Sequence, residues 1–167
     1  FREVAQRDPS NDAADYYLAK IYTRNNLPAK ARQSAISAIK KDPSNLWYKL
    51  MLAEIYKIEG NIDDAIKVVD NLREENPMRS ELYDGLIELY IQKGEYVKAE
   101  EVLKDIEKTI GVNEGTALTR FNLMIYGGKQ EEAHKYLEEF DATFGTPRTS
   151  TIVGDNYAQN RKDSLAE

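Results

Sequence analysis

Few residues in this sequence could do chemistry. It has one histidine, His134, and no cysteine. The missing thiols exclude disulfides, thiolate metal sites and Cys nucleophiles. His134 stands near Glu131, Glu132 and Glu138. A transition-metal site there would need further neutral nitrogen or sulfur ligands, so a solvated histidine is the plainer reading. Gly127-Gly128-Lys129 has the look of a phosphate loop. However, Leu123 stands where that loop needs its first Gly and Gln130 where it needs Ser or Thr. It also follows a helical stretch rather than a strand, so nucleotide binding is not expected. The acidic pairs Asp63-Asp64 and Glu100-Glu101 sit at helix starts, where the helix dipole favours negative charge. No carboxylate pair is singled out as catalytic. We expect no enzyme, no cofactor and no metal.

The elements that carry these residues belong to a soluble folded chain. Its 167 residues suit one compact domain or a short repeat array. Apolar residues make up 41%, too many for a disordered chain. No apolar run approaches the length of a membrane span. The net charge is −6 and no basic tail is present, which argues against nucleic acid as the partner.

One period organises the chain. Tyr22, Tyr56 and Tyr90 are 34 residues apart, as are Ala31, Ala65, Ala99 and Ala133. Pro9, Pro43 and Pro77 keep the same step, and so do Gly60, Gly94 and Gly128. Each unit reads as two helices. In the second, residues 46–59 carry Leu52, Ile55 and Tyr56 on one helical face. Gly60-Asn61 then stops the helix, because Gly accepts the positive φ of a helix end. Next come Ala65, Ile66, Val69 and Leu72 on one stripe, halted by Asn76-Pro77. Ser80 is placed to cap the next helix. The alanines let helix axes approach closely, and the tyrosines are expected to fill the space beside them. No strand-like alternation of useful length occurs, so the chain is expected to be all-α.

These residues resemble the tetratricopeptide repeat (TPR) family. Leu18-Ala19, Tyr22, Asn26, Ala31, Ala35, Ala38 and Pro43 fill the first full unit. Leu52-Ala53, Tyr56, Gly60, Ala65, Val69, Leu72 and Pro77 fill the second. Leu86-Ile87, Tyr90, Gly94, Ala99, Leu103, Ile106 and Gly111 fill the third. In the fourth, Gly128, Ala133, Leu137 and Phe140 fit, but Arg120, Phe121 and Met124 replace the Leu, small and Tyr positions. A shifted register or another packing angle is expected for that first helix. The resemblance implies an α-solenoid of helix-turn-helix units in a right-handed superhelix. The units are expected at 12–45, 46–79, 80–113 and 114–146. Phe1, Val4 and Pro9, within 1–11, match the end of a preceding unit. Val153-Gly154, Tyr157 and Ala166, within 147–167, match a first helix and the start of a second. The chain thus reads as a piece of a longer array, truncated at both ends.

In this family the first helices line a concave groove. By that likeness the groove here takes Ala13, Tyr16, Lys20, Thr23 and Arg24, then Trp47, Leu50, Glu54, Lys57 and Ile58. It continues with Glu81, Asp84, Glu88, Ile91 and Gln92, and with Leu118, Asn122, Ile125 and Tyr126. Tyr16, Trp47 and Leu50 would be its anchors. Glu54, Glu81, Asp84 and Glu88 would form one acidic wall, with Glu54, Asp84 and Glu88 selecting a basic segment. The charge runs from +3 over 1–45 to −6 over 46–113 and −3 over 114–167, which would steer such a segment to the middle. The Lys and Asn clamp by which some family members hold a terminal carboxylate is missing.

The expected function is a non-enzymatic scaffold binding a protein or peptide with a basic or apolar segment. The alternative is the non-catalytic repeat region of a larger enzyme or envelope-assembly protein. Self-association is a third reading. The divergent repeats suggest a bacterial array and favour the periplasm or cell envelope over the cytoplasm.

Overall fold

The computed structural model describes residues 10–166, without the side chains of Tyr157 and 159–166. All regular structure among the described residues is helical. The helices are α1 (Asp12–Arg24), α2 (Pro28–Lys41), α3 (Leu46–Ile58), α4 (Ile62–Glu75), α5 (Ser80–Gln92), α6 (Tyr96–Ile110), α7 (Glu114–Tyr126), α8 (Gln130–Phe144) and α9 (Pro147–Ala166). Four helix pairs therefore open at residues 12, 46, 80 and 114, one 34-residue step apart.

Local chemistry sets these boundaries. Asn11 and Asn45 cap α1 and α3 through their side-chain oxygens, at 2.8 Å from the Ala14 amide and 3.1 Å from the Trp47 amide. Asn113 and Thr116 form a reciprocal capping box on α7. Ser80, expected as a cap, is already the first helical residue of α5. Between the helices of each pair, one residue turns left-handed: Asn26 at φ 53°, Gly60 at 77°, Gly94 at 74° and Gly128 at 78°. The amide after it donates to the carbonyl five residues back. Examples are Asn61 to Tyr56 at 2.9 Å and Lys129 to Met124 at 2.8 Å. Orphan carbonyls at the helix end are satisfied in this way.

The chain divides into two compact units, Phe1–Leu89 and Tyr90–Glu167. In the first, α1 packs on α2, α2 on α3 and α3 on α4. Ala19, Ala31, Ala35 and Ile55 form a buried cluster, with Tyr22, Met51 and Leu52 packed against it. In the second, α6 packs on α7, α7 on α8 and α8 on α9. Ala31, Ala65, Ala99 and Ala133 hold equivalent places in α2, α4, α6 and α8, and each is 0% exposed. A larger side chain there would hold the axes apart.

Two expectations need correction. The divergent α7 keeps the 34-residue phase of its start, but its burial moves. Thr116 and Ala117 are buried as Leu82 and Tyr83 are one period earlier, but Leu118 is buried where Asp84 is exposed, and Phe121 is only half-buried where Ile87 is buried. Leu118, expected in the groove, is thus a core residue. Residues 147–166 form one continuous 20-residue helix, with no turn where a second helix was expected to begin. Phe1, Val4 and Pro9 lie outside the described residues, as do the side chains of Tyr157 and Ala166.

Candidate functional site

Within the first unit, two helical stripes face each other. Leu50, Glu54 and Lys57 sit at i, i+4 and i+7 on α3, so they share one face. Glu81, Gly85 and Glu88 share one face of α5 by the same spacing. Together with Ala53, Val69 and Leu89 they line a cleft of about 160 Å³. At Gly85 a Cβ would lie 3.8 Å from Val69 Cγ1. That is ordinary contact, so the missing methyl leaves open space without being forced by a clash.

The cleft is acidic but not uniformly so. Lys57 Nζ lies 3.1 Å from a Glu54 oxygen and 3.4 Å from one of Glu88. Burial opposes the charge on Lys57, but the bonds and charges of Glu54 and Glu88 outweigh it and hold its pKa above the usual lysine value. The expected acidic wall is therefore cross-tied by a lysine. Glu81 remains on its rim, bonded at 3.1 Å to Arg79. Asp84 is exposed and does not line the cleft. Partial burial, then the nearby Glu81 charge, raises its carboxyl above the ordinary aspartate value.

The other expected groove residues scatter. Tyr16 is half-buried, its ring 5.2 Å from that of Tyr48 and 5.6 Å from Tyr17. Lys20 is exposed with its ammonium 5.6 Å above the Tyr16 ring. Trp47 is 63% exposed and stands at the first turn of α3. Asn122 is exposed on α7 in the second unit. Of the expected groove residues, Leu50, Glu54, Lys57, Glu81 and Glu88 line this cleft, while Tyr16, Lys20, Trp47, Asp84 and Asn122 do not. His134 is half-buried rather than solvated, its ring 5.3 Å from Phe121 and edge-on to it.

Sequence reasoning missed two polar networks in the first unit. Asp15 is nearly buried, accepts from the Ser37 hydroxyl at 2.5 Å and pairs with Lys41 at 2.7 Å. Tyr48 is buried and donates to Asp12 at 3.0 Å. Burial, with help from Asp12, pushes the Tyr48 hydroxyl up to about 12. An acid with a raised folded pKa stabilises the fold below its unfolded pKa of about 10. That stability is lost as pH rises through the folded value. Melting temperature should therefore fall more steeply between pH 10 and 12 in the native chain than in Tyr48→Phe. Parallel melting profiles from circular dichroism would refute this.

The second unit has its own cleft, of about 630 Å³, lined mainly by Tyr96, Val97, Leu103, Arg120, Leu123 and Met124. Arg120 is bidentate on Glu107, with Nε 3.1 Å from Oε1 and Nη2 on Oε2. Its guanidinium carbon lies 5.9 Å from the Tyr136 ring centre. Burial pushes the Tyr136 hydroxyl above its usual pKa. The only cue in the sequence was the departure of α7 from the repeat.

Paired helices at a fixed period, with small residues at the junctions, define an all-α helical-repeat protein. Two family models, each described as tetratricopeptide repeat, match residues 1–45 and 59–110. The chain belongs to the tetratricopeptide repeat family. It is 29% identical over 119 residues to the tetratricopeptide repeat protein 21 homolog of Caenorhabditis briggsae, covering 70% of this chain and 9% of that protein. To the Caenorhabditis elegans homolog it is 24% identical, covering 92% of this chain and 13% of that one. The chain thus spans only about a tenth of these relatives.

Among solved structures it resembles MamA (TM-score 0.67, 19% identity, 95% of this chain and 86% of that one). It also resembles a thermophilic TPR protein of Thermus thermophilus (TM-score 0.57, 20% identity, 89% and 82%). A third likeness is to Naa15/Naa10 bound to HypK-THB (TM-score 0.63, 17% identity, 99% and 26%). At such identities these likenesses speak for the fold alone. Among the described residues no helix is long and apolar enough to cross a membrane.

Proposed function

We propose that this chain is a non-enzymatic protein-interaction scaffold whose first-unit cleft receives a segment with apolar and basic side chains. TPR folds support protein binding in general. The observation that carries the finer reading is the facing pair of stripes, Leu50-Glu54-Lys57 and Glu81-Gly85-Glu88. Leu50 and the floor of Ala53, Val69 and Leu89 offer an apolar seat. The three carboxylates outnumber Lys57, so an incoming Lys or Arg gains attraction at the rim. The helices are held by their own packing, so little ordering is needed on this side when a partner binds.

The test uses a fluorescein-labelled peptide of alternating Leu and Arg and a Leu/Glu counterpart, read by anisotropy. The basic peptide should bind more tightly. Glu54→Lys with Glu88→Lys should reduce its affinity by roughly tenfold or more, from rim charge reversal. Equal binding of both peptides, or no effect of the reversal at unchanged melting, would remove the cleft as the site.

A second reading has one observation in its favour. Because the chain covers about a tenth of its curated relatives, this scaffold works as the non-catalytic region of a longer polypeptide, a larger enzyme or a cell-envelope transport or assembly protein. Expression of the flanking sequence with this region, followed by fractionation, would place it.

A further inference from the structure

The second-unit cleft lies where the repeat departs from its own rule. Leu18, Leu52 and Leu86 recur at one position of the first helices, and Tyr22, Tyr56 and Tyr90 at another. In α7 those positions hold Arg120 and Met124, and both line the cleft. A guanidinium drawn aside by Glu107 and a slender thioether fill less of this space than a branched Leu and a Tyr ring would. The opening, about 630 Å³, falls within the usual range for pockets that enclose a compact ligand, about 300–1,000 Å³.

The walls are apolar, and two of them face water: Val97 is 73% exposed and Tyr96 is 40% exposed. The charges are mostly committed. Arg120 is satisfied by Glu107, with Glu100 4.0 Å away. Glu100 is also tied to Lys104 at 3.4 Å. Lys129 lines the cleft, is exposed, and has no ion-pair or hydrogen-bond partner for its ammonium among the described residues. The cleft therefore offers apolar walls and one uncommitted cation.

We propose that this cleft is a protein-docking site in its own right. Its occupant is a partner segment that inserts one or two apolar side chains and places an acidic residue beside them, against Lys129. All its residues lie in the second unit, so the proposal does not depend on the first-unit cleft. The charge it asks of its partner is the opposite one.

The three methionines make the test local. Met124 lines the cleft, Met51 packs against the first-unit core, and Met78 is exposed. With 13C-methyl-methionine protein, acetyl-Leu-Phe-Asp-Asp-amide should move the Met124 signal and leave the other two in place. Acetyl-Leu-Phe-Lys-Lys-amide should need roughly tenfold more peptide for the same shift, as rim-charge complementarity requires. Lys129→Glu, a change at an exposed side chain, should reverse that order. Met124→Tyr restores the residue type of the other units. It should abolish binding of the fluorescein-labelled acidic peptide, read by anisotropy, with an unchanged or higher melting temperature. Equal shifts from both peptides, shifts at Met51 or Met78 instead, or a preference that survives Lys129→Glu would overturn the proposal. So would 3-phenylpropionate moving Met124 as strongly as the acidic peptide, since the site would then serve a small carboxylate.

Discussion

Glu107→Leu is expected to destabilise the second unit by about 2–3 kcal/mol, while the double change Arg120→Leu with Glu107→Leu stays within about 1 kcal/mol of the native chain. Both side chains are largely withdrawn from water, 23% exposed for Arg120 and 13% for Glu107. Their bidentate pairing satisfies the guanidinium in a setting where water cannot reach all of it. Removing only the carboxylate leaves a half-buried cation with Glu100 4.0 Å away. Its residual access to water keeps the loss below that of a fully buried pair. Replacing both partners removes both desolvation costs and returns Leu to the position it holds at 18, 52 and 86. Urea unfolding followed by circular dichroism gives all four corners of the cycle. A double variant whose loss equals the sum of the two single losses would mean that the pair contributes no coupling and that the loss is one of shape.

Ala65→Leu should cost about 1–3 kcal/mol, and Ala29→Leu almost nothing. Ala65 is 0% exposed at the fourth residue of α4, where the helices of the second pair meet. Three added carbons there must push the axes apart or force neighbouring side chains off their rotamers. Ala29 lies on the exposed face of α2, so the same substitution meets water. For a unit of this size each kcal/mol corresponds to roughly 4–8 °C in melting temperature. Ala65→Leu should therefore be visible in a single thermal scan. Equal midpoints for the two variants would show that the junction tolerates bulk and that the recurring alanine has another cause.

The residues themselves show how far sequence reasoning reached. The pairs opening at 12, 46, 80 and 114 follow from caps, turn residues and the 34-residue recurrence of Ala and Gly. These signals are local. A positive φ at Gly60 or Gly94 and an amide cap from Asn45 depend on a few neighbouring residues. The fully buried alanines were legible for a related reason, since a period repeated four times averages out chance.

The first-unit cleft was legible only in part. Leu50, Glu54 and Glu88 could be placed on helix faces from their spacing. The tie made by Lys57 could not, because it depends on how α3 and α5 face each other and on which rotamers reach across. Tyr16 turned to Tyr48 for the same reason. Asp15 is an acid in the first turn of α1, and only the fold brings Ser37 and Lys41 beside it from α2.

The fourth pair marks the limit. Arg120, Phe121 and Met124 announced a departure from the repeat, and nothing in the sequence said what it would produce. By itself the sequence determined the helical phase, the turns and the small residues that let helices approach, because these rest on local backbone chemistry and on a repeated pattern. Tertiary structure alone decided that Leu118 is buried, that Arg120 turns to Glu107 and that a cleft opens beside Met124. Those outcomes depend on the packing of α6, α7 and α8 at positions where the repeat offers no precedent.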